Sequence, residues 1–310
     1  MKNPLISVVM PCYQNEATLS ETVRSVQAQT MRDWELIAVD DGSTDETGSV
    51  LDALARREPR LRVIHQENGG VSSARNAGLA AARGTWVFFA DADDKLLPDA
   101  LRTLLEHARD GVDIVCGAYL MRYGDEGGRE EKMTCAAGDR QVVLESLIRG
   151  DSALNSMCAR LYRAEMLRRR GIVAPPGVAV GEDVLFNLEA FTAARAYVCL
   201  PDVVYVYEFG GDSAMTRARK DIFARSQAMM EGIERFLMER GLETALFRAH
   251  IDLYLRTLRA DRGRFRAALA FDRALARKIT RGVAWRELDA KQRLYYFALR
   301  ALPCLSYFLP

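Results

Sequence analysis

The chain has 310 residues, 49% hydrophobic and 27% charged, with 22 glycines and 9 prolines. This composition excludes disordered, collagen-like and disulfide-scaffold classes and leaves ample chain for a sizeable core. The net charge of +1 hides an asymmetry. Residues 215–310 hold 20 Lys+Arg against 10 Asp+Glu, whereas residues 1–214 hold 23 against 32, so the two ends are expected to meet different partners. Six well-separated cysteines (Cys12, Cys116, Cys135, Cys158, Cys199, Cys304) form no C-x-x-C pair. That speaks against zinc-ribbon and thioredoxin-like motifs and suits a reducing compartment. The start MKNPLISVVM does not read as a signal peptide, and no run approaches the roughly 20 apolar residues that span a bilayer. A soluble, cytoplasmic chain is expected.

The first 120 residues alternate strand and helix patterns. LISVVM (5–10) is a continuous apolar run, as in a strand buried on both faces. Leu19, Val23 and Val26 then recur at helical spacing, with Asn15 as the expected N-cap. ELIAV (35–39) predicts a second strand, and a helix follows around 50–55. Residues 61–65 predict a third strand and 72–82 an alanine-rich helix. TWVFFA (85–90) predicts a fourth strand, 99–108 a helix and 112–116 a fifth strand. This order argues for βαβ units and a mostly parallel sheet. Residues 121–150 are looser, with a short helix near 142–148, and strand and helix signals mix from 150 to 214. Beyond Met215 the pattern is helical and arginine-rich, so two regions are expected, 1–214 and 215–310.

Each strand of the front half runs into polar residues. Pro11, Tyr13 and Asn15 follow the first, and Asp40, Asp41, Gly42 and Ser43 the second. Asn68, Gly69 and Gly70 follow the third, and Asp91, Asp93 and Asp94 the fourth. Ligands of open parallel sheets bind outside the carboxyl ends of the strands, so these clusters outline one lip of a site. Asp91 and Asp93, at i and i+2, can address one Mg²⁺ or Mn²⁺ and leave coordination positions for phosphate oxygens. The other reading of this triplet is a helix cap with acidic first-turn residues, a role that suits Asp94. Asp40 and Asp41 read equally as turn residues and as acceptors for a pyrimidine N–H or ribose hydroxyls. Glu182 and Asp183 open a helix, where a carboxylate either caps or serves as a general base. P-loop, G-x-G-x-x-G and G-x-S-x-G motifs are absent, and His65, His107 and His250 are isolated, so serine–histidine catalysis is unsupported.

In order and spacing, ISVVMPCYQNEATLSETVRSVQAQT, WELIAVDDGSTDET, NGGVSSARNAGLAAARGTWVFFADADD, GEDVLFN and YVYEFGGDSAMTR resemble family 2 glycosyltransferases of the GT-A fold, over roughly residues 5 to 215. The resemblance implies a Rossmann-like α/β catalytic domain (1–214) followed by a helical region. It also implies an inverting transfer from a UDP-sugar to a hydroxyl of a glycan or lipid-linked glycan, with bacterial surface polysaccharide assembly as the setting. Asp40 or Asp41 would bind uracil or ribose; Pro11, Tyr13, Asn15 and Asn68 would line the nucleotide pocket, with Arg75 beside it. Asp91 would contact ribose or metal, and Asp93 would ligate the Mn²⁺ or Mg²⁺ bridging the diphosphate. Asp183 would be the general base, supported by Glu182. Ser213, Thr216 and Arg217 would close over the diphosphate.

The tail KQRLYYFALRALPCLSYFLP mixes apolar and aromatic residues with only Lys291, Arg293 and Arg300. It suits an anionic membrane surface, reached peripherally through residues 288–310, or packing on protein. Nucleic acid is a poor fit, because no stacking platform accompanies the basic residues. Three alternatives remain open: a phosphohydrolase with Asp91 as nucleophile and Asp93 as acid, a nucleotidyltransferase and a non-catalytic subunit that binds a nucleotide-sugar. The second wants a glycine-rich basic loop where Pro11-Cys12-Tyr13-Gln14 stands.

Overall fold

A computed structural model describes residues 3–123, 129–134, 139–150, 153–178, 180–209, 222–260, 276–277 and 279–301. Strands β1 (Ile6–Cys12), β2 (Trp34–Asp40), β3 (Leu61–His65) and β4 (Trp86–Phe89) alternate with helices α1 (Leu19–Gln27), α2 (Thr47–Ala55) and α3 (Val71–Ala81). The next elements are β5 (Lys95–Leu96), α4 (Ala100–Leu105), the long β6 (Ile114–Tyr123) and β7 (Arg129–Met133). After α5 (Arg140–Arg149) come β8 (Arg160–Arg163), α6 (Ala164–Arg170), α7 (Glu182–Ala193) and β9 (Tyr197–Phe209). Helices α8 (Ile222–Arg240), α9 (Phe247–Ala260) and α10 (Ala290–Ala301) complete the described chain.

The sheet runs β3-β2-β1-β4-β8-β6-β9-β5, with β7 on β6. Its first four strands are parallel, and helices cover both faces. Val9, Ile37, Val87 and Phe89 feed one apolar cluster, while Val8, Met10, Leu36, Ala38 and Phe88 feed the other. This alternation is what a strand buried on both faces requires. The register Cys12↔Asp40 and Asp40↔His65 aligns three strand ends, so the loops that leave them converge on one edge.

Beyond β4 the sheet departs from simple βαβ order. β8 inserts antiparallel between β4 and β6, although β6 and β9 pair parallel. The sequence RLYR hides this strand because its arginines read as solvated. Arg160 is in fact buried and donates to the carbonyls of Ala153, Leu154 and Cys158. Arg163 stacks on Trp86 and pairs with buried Asp113.

Two capping assignments are corrected. Thr18, not Asn15, occupies the N-cap of α1; the Asn15 side chain accepts from the Tyr13 N–H (2.8 Å), while its carbonyl accepts from Leu19. Asp94 caps no helix, since Lys95 and Leu96 pair with β9 and the buried Asp94 carboxylate accepts the Glu208 N–H (2.9 Å).

The C-terminal helices share the core of the front half. Met230, Ile233 and Phe236 of α8 and Phe247 and Ile251 of α9 join Leu188 and Phe191 of α7 in one apolar cluster that crosses residue 214. The α7–α8 contact is close. Gly181, at φ +84°, leaves no room for a Cβ beside the Met229 side chain, and a Cβ on Gly232 would meet Leu185 at 2.6 Å. Among the described residues no helix is long and apolar enough to cross a membrane.

Candidate active site

The loops at the carboxyl ends of β1, β2 and β3 are laced together. Gln14, at φ +57°, donates its N–H to Ser43 Oγ and its side-chain amide to Thr44. The Asn15 N–H donates to Thr47 Oγ1 at 2.8 Å. Asp41 ties β2 to the following loop: its carboxylate accepts from Gln66 (2.7 Å), the Gly69 N–H (2.9 Å) and the Gly70 N–H (2.8 Å). Asp40 accepts from the Ser43 N–H and contacts His65 Nδ1 at 3.0 Å. Asp40 and Asp52 hold the His65 imidazole above its ordinary pKa. Gly42 (φ +72°) is required here, because a Cβ would come within 2.7 Å of the Asn68 nitrogen.

The centre of the site is Arg75, on α3. The next turn of that helix lies close against β1, where a Cβ on Gly78 would run into Val9. The neighbouring Asn76 exchanges two hydrogen bonds with the Ala174 backbone, both 2.8 Å. The Arg75 side chain, 4% exposed, gathers three carboxylates. Nη2 donates to Asp91 (2.9 Å), and Nη1 donates to Glu182 (2.9 Å) and to Asp183 (2.7 Å). The other Asp183 oxygen accepts the Met157 N–H at 3.0 Å. The Asp91 N–H donates to the Tyr205 hydroxyl at 3.0 Å, and the Cys158 thiol, pushed up by burial, donates to the Asp91 carboxylate at 3.6 Å. Carboxylates from β4's end and from α7 are thus fixed on one cation, with Glu182 and Asp183 107 and 108 residues from Arg75 in sequence.

This crowding of acids perturbs protonation. Burial and then the Asp183 charge push the Glu182 carboxyl up to about 7 against the pull of Arg75. Burial and then Asp91 push Asp93 up to about 6. Burial, with Asp91 and Asp93, drives Asp94 well above the usual carboxylate range. Among the described residues no side-chain donor reaches Asp93, and no three His, Cys, Asp or Glu side chains are grouped to hold a metal. A pair of neighbouring carboxylates, one bound to Arg75 and one lacking a side-chain donor, is nonetheless a donor set that fits a hard divalent cation. Mg²⁺ in particular is commonly held by one or two carboxylates, with phosphate oxygens and water completing its shell.

The structure therefore brings Arg75, Asp91, Glu182 and Asp183 into direct contact, with Asp93 two residues along. Pro11 is buried in β1 and Tyr13 is exposed at the lip beside Asn15. Asp40, Asp41 and Asn68 stand on the linked loops, and protein donors already engage both oxygens of Asp41. Ser213, Thr216 and Arg217 lie outside the described residues. Sequence reasoning missed the Met157 N–H, which carries no side-chain signature, and Tyr205 of β9 and Cys158 just before β8, which reach Asp91 from far along the chain.

The model of the glycosyl transferase family 2 matches residues 7–171. The chain belongs to this family. Among relatives of the family, the uncharacterized glycosyltransferase EpsJ of Bacillus subtilis (strain 168) is 32% identical over 224 residues. That alignment covers 66% of this chain and 61% of EpsJ. The fold is that of S. aureus TarS 1-349, solved in complex with UDP-GlcNAc: TM-score 0.72, 22% identity, 97% of this chain and 89% of that one. The mannosyltransferase PcManGT from Pyrobaculum calidifontis, solved with GDP-Man and Mn²⁺, matches with TM-score 0.54 and 20% identity over 99% of this chain and 88% of its own. Asp183 lies beyond the part that the family 2 model matches.

Proposed function

We propose that the protein is an inverting glycosyltransferase that moves a sugar from a UDP-sugar to a hydroxyl of a glycan or lipid-linked glycan. The observation that carries this reading is the Arg75 cluster, which holds Asp91, just past the carboxyl end of β4, against the Glu182–Asp183 pair. UDP in the TarS complex supports the choice of nucleotide.

In this reading the linked loops carrying Tyr13, Asn15, Asp40, Asp41 and Asn68 receive the nucleoside. Asp93 and Asp91 would hold Mn²⁺ or Mg²⁺, which supplies Lewis-acid stabilisation of the charge on the departing diphosphate. The acceptor oxygen attacks the anomeric carbon as the bond to the β-phosphate oxygen breaks, and UDP leaves with the bonding electrons. Asp183 takes the acceptor proton, oriented by Arg75 and the Met157 N–H. One base facing away from the leaving group gives in-line displacement and inversion. Burial and the Asp183 charge raise the Glu182 carboxyl and favour its neutral form, which lowers the negative charge that Arg75 must balance. The phosphohydrolase alternative leaves Glu182 and Asp183 without a role.

The test is calorimetric titration of UDP in Mn²⁺, with and without EDTA, on wild type and Asp93→Ala, with Asp183→Ala as the chemistry control in a UDP-sugar screen. Metal-dependent binding is expected in wild type and Asp183→Ala and should be lost in Asp93→Ala. Equal binding by wild type and Asp93→Ala regardless of metal would remove Asp93 from its role. No UDP binding at all would sink the UDP-donor reading.

A further inference from the structure

Helix α10 presents apolar residues on two opposite faces. Its inner face is core: Leu299 is buried, Tyr295 and Tyr296 pack against the main cluster, and the Tyr296 ring lies 5.9 Å from Phe247. Its outer face carries Leu294 (58% exposed) and Phe297 (64%), one turn apart, with Trp285 (42%) just upstream. Arg293 and Arg300 flank that outer face on one side. A helix apolar on all sides is ordinarily covered all round.

The helix is firmly built. Asp289 and Gln292 exchange capping bonds, Asp289 Oδ1 accepting the Gln292 N–H at 2.7 Å and Gln292 Oε1 accepting the Asp289 N–H at 2.9 Å. Arg293 donates to the Arg286 carbonyl (2.9 Å) and lies over Trp285, and Arg300 contacts the Tyr296 hydroxyl. Among the described residues no ion pair joins Arg286, Arg293 or Arg300 to a carboxylate.

We propose that the outer face of α10, with Trp285, is a docking surface for an anionic lipid bilayer, Leu294 and Phe297 entering the interface and Arg286, Arg293 and Arg300 meeting the headgroups. The charge decides the occupant. A second copy docked through the same patch would set these arginines against their own equivalents, because a two-fold interface pairs a patch with itself. Anionic headgroups complement them, and long basic side chains beside an apolar stripe are suited to the headgroup layer. Trp285 has the amphipathic ring favoured at that depth.

The test is flotation of the full chain with vesicles of phosphatidylcholine alone and of equimolar phosphatidylcholine and phosphatidylglycerol. Point variants are preferable to truncation at 288, because Leu288 and Leu299 are core residues. Wild type should bind the mixed vesicles and not the neutral ones. Binding should fall about fivefold for each arginine replaced by Gln and more than tenfold, roughly, for Leu294→Ser/Phe297→Ser, with UDP binding and thermal unfolding unchanged. A second readout needs no variant: brominated acyl chains should quench Trp285, since Trp34 and Trp86 are buried. Equal binding to both vesicle types, or absent quenching, would overturn the proposal. So would a concentration-dependent dimer abolished by Leu294→Ser/Phe297→Ser, which would assign the face to a second copy instead.

Discussion

Arg75→Met is the sharpest perturbation of the site. The methionine fills most of the same space but removes the one cation shared by Asp91, Glu182 and Asp183. Taking one partner out of a buried ion pair costs about 3–5 kcal/mol, because the remaining charge is left without compensation. Here three carboxylates remain, all largely buried, so a loss of about 4 kcal/mol at pH 7.5 is expected. At roughly 2–4 °C per kcal/mol for a large domain, the unfolding midpoint should drop by about 8–16 °C. The sign of the pH dependence is a second check. Without the guanidinium nothing opposes the burial that already raises the Glu182 carboxyl, so the variant loses stability as pH rises. The gap between wild type and variant should therefore be smaller at pH 5.5 than at pH 8. Thermal and urea unfolding followed by circular dichroism would measure both quantities. Arg169→Met is the control: its Glu165 pair is solvent-exposed, and such pairs contribute less than about 1 kcal/mol. An Arg75→Met midpoint within about 2 °C of wild type, with no pH trend, would refute the shared-cation reading.

Asp41→Ala removes the acceptor that joins β2 to the 66–70 loop. It should cost about 2–3 kcal/mol and speed amide exchange at Gly69 and Gly70; unchanged exchange would count against the anchor. Burial pulls the His250 imidazole down to about 4, whereas an unfolded histidine titrates near 6.5. The unfolded state therefore binds more protons between those values, and His250 itself should contribute a loss of about 2 kcal/mol on acidification from pH 7 to 5, measured as the difference between wild type and His250→Leu. His250→Leu should lack that loss. Urea midpoints at the two pH values would decide it, and parallel curves would remove His250 as the source.

Much of the front half is legible in the sequence. Runs such as LISVVM and TWVFFA fix buried strands because both faces are covered, and polar residues accumulate where those strands end. That placed Asp91 and Asp93 at the lip. What stayed hidden depends on contacts between distant segments. Asp94 and Arg160 are polar residues buried by partners that local pattern does not reveal: a backbone N–H of β9 for one, three carbonyls before β8 for the other. Arg75 was legible as a site residue, but its hold on the Glu182–Asp183 pair arises only when α7 comes against α3. Asp41 read equally as turn and as ligand contact, and the structure gives it a structural duty as a loop anchor.

The close approach of Gly181 to Met229 bears on how such enzymes can be shuffled. The family model stops at residue 171, and a composition break falls near 214, so either point invites the grafting of one relative's front half onto another's tail. The junction near 214 separates α7 from α8, whose glycines and facing side chains fit as a matched set: Gly181 with Met229, Leu185 with Gly232. A graft near 214 would set a foreign helix behind the segment that carries Asp183, whereas one at 171 keeps the two helices together but parts Asp183 from its Arg75 partner. Chimaeras that exchange residues 181–240 as one block keep that pairing, and with it the backing of Asp183.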